Sequence, residues 1–137
     1  MPALPWRAKA PVSANQEYLA MATFLPLQSY RAMPQFLRLT TSVAGQLERT
    51  GGLVGYSLLA QPARKRFWTL SAWIDRRALS AFVREMPHLG AMQQLRPHMG
   101  PTRFTAWTVL GSALPISWHE ATERLMSPDA SSTGGEL

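Results

Sequence analysis

A chain of 137 residues with 46% hydrophobic and 16% charged residues has the size and apolar content of one domain with its own core. It has no cysteine, which excludes disulfides, thiolate nucleophiles and zinc-thiolate sites, and no apolar run approaches the roughly 18 to 20 residues that span a bilayer. Fourteen Lys and Arg against eight acids give a net charge of +6, but they are scattered, and the one run, Arg64-Lys65-Arg66, falls in an expected turn without any nucleic-acid-binding motif, so no nucleic-acid partner is expected.

The first residues are rich in Pro and Ala and are expected to be flexible over 1–15. Prolines stand where a signal peptide needs a continuous apolar stretch, and the reading is cytoplasmic. Glu17 to about Leu27 reads as a buried strand stopped by Pro26. From Tyr30 to Glu48, Met33, Phe36, Leu37, Thr40, Ala44 and Leu47 recur at helical spacing, with Pro34 in the first turn and Gln46 on the polar side. Gly51-Gly52 ends that helix.

Leu53–Ala60 and Phe67–Ile74 form a hairpin around residues 61–66. Asp75 caps the next helix, whose stripe is Ala78, Leu79, Phe82, Val83 and Met86 until Pro87 interrupts it. A short helix follows from His88 to about Leu95, then a last strand over 102–110. Residues 117–126 suggest a terminal helix within a C-terminal extension, 112–137, whose Ser/Gly-rich end is expected to be disordered.

The order is β-α-β-β-α-β over residues 16–111. This is the ferredoxin-like α+β arrangement, a four-stranded antiparallel sheet with both helices on one face. The strands are apolar on both faces, since one of each pair Phe67/Trp68 and Trp73/Ile74 must point away from those helices. A second copy is expected to cover the other face, giving a homodimer.

Phe67-Trp68-Thr69-Leu70-Ser71-Ala72-Trp73, then Leu79-x-x-Phe82, Pro87-His88-x-x-Ala91-Met92, and Thr102-Arg103-Phe104 before a Trp-containing strand together resemble the dimeric α+β barrel superfamily. Within it the likeness is to antibiotic biosynthesis monooxygenases and, more narrowly, to a spheroidene monooxygenase-like branch. The resemblance covers roughly residues 17 to 111 and rests on packing residues, so it speaks more to fold than to reaction. It implies a small-molecule monooxygenase of secondary metabolism, acting on an apolar or aromatic substrate. The haem-degrading members' Trp and axial His would fall at Phe82 and Met92, so that constellation is missing, while His88 matches a His of the spheroidene monooxygenase-like branch.

His88 shares its helix face with Ala91, Met92 and Leu95, which directs the imidazole toward the helix–sheet space, where it could move a proton or ligate haem iron. Haem through His88, with Met92 and Arg96 beside it, and no cofactor at all both remain open. The plain alternative for His88 is a core histidine bonded to a neighbouring carbonyl. His98 is a second catalytic candidate, in a loop where a His is more often simply solvated. Phe36, Tyr56, Trp73, Phe82 and Leu95 are the candidate pocket residues, against the reading that all five are core. No His-carboxylate spacing suits a metal, and no paired carboxylates suit glycoside hydrolysis. A non-catalytic dimeric module for a small hydrophobic ligand, or a cofactor-free cyclase or lyase, is the rival function.

Overall fold

The computed structural model describes residues 5–86, 88–127 and 131–132. The elements in chain order are β1 (Arg7–Ala8), β2 (Glu17–Pro26), α1 (Met33–Arg49), β3 (Leu53–Gln61), β4 (Arg66–Trp73), α2 (Arg76–Arg84), α3 (His88–Leu95), β5 (Arg103–Leu110), α4 (Trp118–Met126) and β6 (Ser131–Ser132). The sheet runs β1-β3-β4-β2-β5-β6, antiparallel throughout. The four long strands expected from the sequence lie at its centre in the ferredoxin-like order, and the two-residue strands β1 and β6 extend it to six.

Local chemistry sets the boundaries. A 3-10 turn over Tyr30–Ala32 leads into α1 with Pro at its start, where a missing N–H costs nothing. Gly52 adopts φ 85°, and a Cβ there would meet the Ala78 Cβ at 2.6 Å, so this turn requires glycine on two counts. Lys65, at φ 59°, closes the hairpin. The Asp75 side chain accepts from the Ala78 N–H at 2.9 Å and caps α2 as the sequence predicts. Ser117 does the same for α4, accepting from the Glu120 N–H at 3.1 Å.

Alternation along the strands produces two separate apolar layers. Leu19, Met21, Leu53 and Trp73 pack with Leu79, Phe82 and Val83 of α2, and Phe67 packs with Phe36 of α1. Tyr18, Ala20, Ala22, Leu70, Ala72 and Val109 point the other way. A β-bulge between Leu53 and Gly55 turns Val54 into that second layer. Within the expected pairs, Phe67 faces the helices and Trp68 faces away.

The helices expected from the βαββαβ order, α1 and α2, lie with α3 on one face of the sheet, and α4 packs on the other, with Ala121 at 0% and Leu125 at 2% exposure, joined by Ile116. A buried Leu contributes roughly 1.5–3 kcal/mol, and specific contacts orient the helix. The Arg103 guanidinium donates to the carbonyls of Leu125 at 2.6 Å and Ser127 at 2.9 Å. These are carbonyls that the end of a helix leaves without partners. Trp118 Nε1 donates to Ser57 Oγ at 3.3 Å, and Arg124 stacks over the Trp107 ring at 4.5 Å. The chain itself therefore supplies part of the cover on the face where a second copy is expected, and Phe24, Trp68 and Trp107 there are only partly buried.

The expected flexible lead-in is tied down as well. β1 pairs with β3, the Trp6 ring lies so close to Gly55 that a Cβ there would meet it at 2.5 Å, and Arg7 and Lys9 both bind Glu48. Residues 1–4, Pro87 and the expected disordered end over 133–137 lie outside the described residues. Two helix stripes also differ from expectation: Leu37 and Met86 are exposed, while Gln46, assigned to the polar side, is 4% exposed.

Candidate functional site

Between the sheet and helices α1 and α3 lies a cavity of about 440 Å³, within the usual size of small-molecule sites. Its floor is the helix-facing row of the central strands: Met21, Thr23 and Leu25 of β2, Thr69 of β4 and Phe104 of β5. Thr23 stands directly between Thr69 and Phe104 in the sheet register. The roof is Phe36, Leu39, Thr40 and Val43 of α1 with His88, Ala91, Met92 and Leu95 of α3, and Arg96, Met99, Gly100 and Thr102 close one end.

The position of His88 follows from the break between α2 and α3. The Val83 carbonyl, in the last turn of α2, is 3.1 Å from His88 Nδ1. A carbonyl only accepts, so Nδ1 carries the proton, and in the neutral imidazole Nε2 keeps its lone pair. The His88 backbone N–H donates to Gln46 Oε1 at 2.8 Å, and Gln46 Nε2 donates to the Phe82 carbonyl at 3.1 Å. Gln46 thereby joins α1 to the end of α2 and the start of α3, which explains its burial. Behind the imidazole the Phe82 ring lies at 4.9 Å, and Trp73 lies 5.3 Å behind Phe82. Burial lowers the His88 pKa below the ordinary value, favouring the neutral ring, and the Val83 hydrogen bond opposes this more weakly.

The structure sorts the candidates by position. His88, Met92, Arg96, Phe36 and Leu95 all line the one cavity. Phe82 and Trp73 do not: they are packed behind His88, and Trp73 Nε1 donates to Ser71 Oγ at 2.8 Å. Tyr56 lies elsewhere, its hydroxyl 2.5 Å from Glu48 Oε2. His98 has an exposed side chain outside the lining, and its backbone carbonyl accepts from the Gln28 N–H. Sequence reasoning missed Gln46 and the hydroxyls of Thr23, Thr40, Thr69 and Thr102. For Gln46 a signal existed, since it continues the stripe Leu39–Val43 at a spacing of three.

Among the described residues no group of three or more His, Asp or Glu could hold a metal ion. An imidazole on a cavity wall, with Nδ1–H anchored to a carbonyl, is nevertheless a type of donor that haem iron would take. The residues present fit that role at His88.

Among solved structures the chain resembles SnoaB, a cofactor-independent oxygenase from Streptomyces nogalater, at 17% identity and TM-score 0.58, covering 72% of this chain and 98% of that one. The fold is that of the antibiotic biosynthesis monooxygenases. A further structure described by that name matches at 17% identity and TM-score 0.55 over 71% and 99% of the two chains. Protein SO0527 from Shewanella oneidensis matches at 13% and 0.57 over 77% and 97%. No family model and no curated relative matches the chain. At these identities the likeness to the monooxygenases is one of fold. No helix among the described residues is long and apolar enough to cross a membrane.

Proposed function

We propose that this chain is a small-molecule oxidoreductase of the monooxygenase type, acting in the cytoplasm on an apolar substrate held in the cavity, with His88 Nε2 as the proton acceptor. The observation that carries this reading is an imidazole anchored through Nδ1 to the Val83 carbonyl, on a backbone held by Gln46, on the wall of a mainly apolar cavity. The shared fold with a protein described as a cofactor-independent oxygenase supports it. Removing a proton from an acidic C–H or O–H leaves an electron-rich anion that O2 can oxidise. Oxidation of a methylene to a carbonyl then balances, with one oxygen atom in the product and the other in water. The hydroxyls of Thr23 and Thr69 are placed to orient a polar group of the substrate on the sheet floor.

Haem held by His88 Nε2 is the second reading, favoured by the Val83 anchor. The group would supply one-electron and O2 chemistry, and His88 would hold it, with Met92 and Arg96 in the same lining. Two measurements test these readings. Anthrone, which has an acidic methylene, should consume O2 in step with anthraquinone formation, above the spontaneous rate, and His88→Ala should remove that excess. Added hemin should give a protein-shifted Soret band that His88→Ala abolishes if the second reading holds. Failure of both leaves a hydrophobic-ligand module.

A further inference from the structure

We infer that the molecule taken by the cavity is an amphipathic anion, with an apolar body between sheet and helices and a carboxylate or similar head held at the mouth by Arg96. This rests on reading the cavity as the binding site.

Arg96 is the only lining residue with a full charge, and no acid lines the cavity. It is also exposed, which places it where the cavity meets solvent. Among the described residues it makes no hydrogen bond or ion pair, so its donors are free for a ligand. The loop that carries it is fixed: the Gln28 N–H donates to the His98 carbonyl at 2.9 Å, the Gly100 N–H donates to the Pro26 carbonyl at 2.9 Å, and Met99 bridges to Leu27. Deeper in, the polar groups are threonine hydroxyls and one imidazole. They can meet a neutral hydroxyl or carbonyl but offer no counter-charge to a buried anion, whose desolvation would go unrepaid. The placement of charge therefore selects a ligand with a neutral, apolar body and an anionic end. Arg96 also follows the last residue of α3, where a cation favours the helix dipole, but that effect does not depend on whether a ligand is bound.

The test measures displacement of Nile red from the full chain by 2-naphthoate and by its methyl ester at low salt. An exposed ion pair contributes up to about 1 kcal/mol, so the carboxylate should bind about fivefold more tightly than the ester. Arg96→Gln should bring the ratio close to one, Arg96→Lys should retain part of it, and high salt should shrink it in the wild type. Equal binding of acid and ester by the wild type, or an unchanged ratio in Arg96→Gln, overturns the inference while leaving the cavity reading intact. If neither compound nor Nile red binds, the cavity reading fails and takes this inference with it. Melting temperatures of the variants report any dipole effect separately.

Discussion

His88 serves structure and site at once, because its two ring nitrogens face different surroundings. Nδ1–H satisfies a carbonyl of α2, and Nε2 is left for the cavity. His88→Gln keeps a donor for Val83 but has no basic nitrogen, so the variant should remain folded and lose turnover, while His88→Ala should also lose about 1 kcal/mol of stability. Stability and activity measured on one preparation decide this, and loss of stability with retained activity would sink the catalytic role. The pH dependence has a definite sign. Burial lowers the folded pKa below the ordinary 6.5, so activity should be level above about pH 6.5 and fall only in more acidic solution. Stability should follow the same direction, complete above the unfolded pKa and lost as pH falls toward the folded one, because the unfolded chain takes up a proton that the buried ring resists. His88, Met92 and Leu95 were legible in the sequence because helix spacing puts them on one stripe. Tyr56, Trp73 and Phe82 were not separable from pocket residues, since apolar aromatics suit a cavity wall and a core equally well. Only the contacts show that Phe82 backs the imidazole and that Tyr56 binds Glu48.

Helix α4 and strand β1 are the elements whose destinations the sequence left open. Among the contacts of α4, Leu125 and Arg103 can be tested singly. Leu125→Ala should cost about 2–5 kcal/mol, and Arg103→Ala, which leaves two carbonyls at the end of α4 without their charged donor, should cost about 1.5–3 kcal/mol; urea denaturation checks both. β1 is held by charge. Glu48 has its pKa lowered from 4.5 to about 2, first by the Lys9 hydrogen bond and then by that of Tyr56, with Arg7 adding a smaller Coulomb attraction. A depressed carboxylate pKa contributes stability that is complete above 4.5 and is lost as pH falls through about 2. Amide exchange at Lys9, whose N–H donates to the Val54 carbonyl at 2.8 Å, should accelerate in Glu48→Gln at neutral pH. Unchanged protection would show that Trp6 packing alone holds the strand. The strands and the Asp75 cap were legible, because period-two apolar runs and a capping Asp are local signals.

At the scale of the molecule, α4 covers part of the face on which a second copy is expected, and light scattering decides between the two: the chain's own mass of 15.2 kDa if α4 seals that face, twice that mass if a second copy pairs on it. Ending the chain at residue 115 should expose the layer of Tyr18, Ala20, Leu70 and Val109 and drive pairing or aggregation, seen as a rise in mass and in dye binding. The βαββαβ order, the two apolar faces and a histidine directed between helix and sheet follow from periodicity within single segments and are readable from the residues alone. The packing of the nine-residue helix α4 on the far face, the burial of Gln46 against His88 and the place of Arg96 in the cavity lining come from the assembled fold. Each depends on contacts between residues far apart in the chain, such as Arg103 with Leu125 and Gln46 with His88. Such pairings are selected by burial and hydrogen bonding across the whole fold, and a local pattern such as the stripe that Gln46 continues does not name the partner.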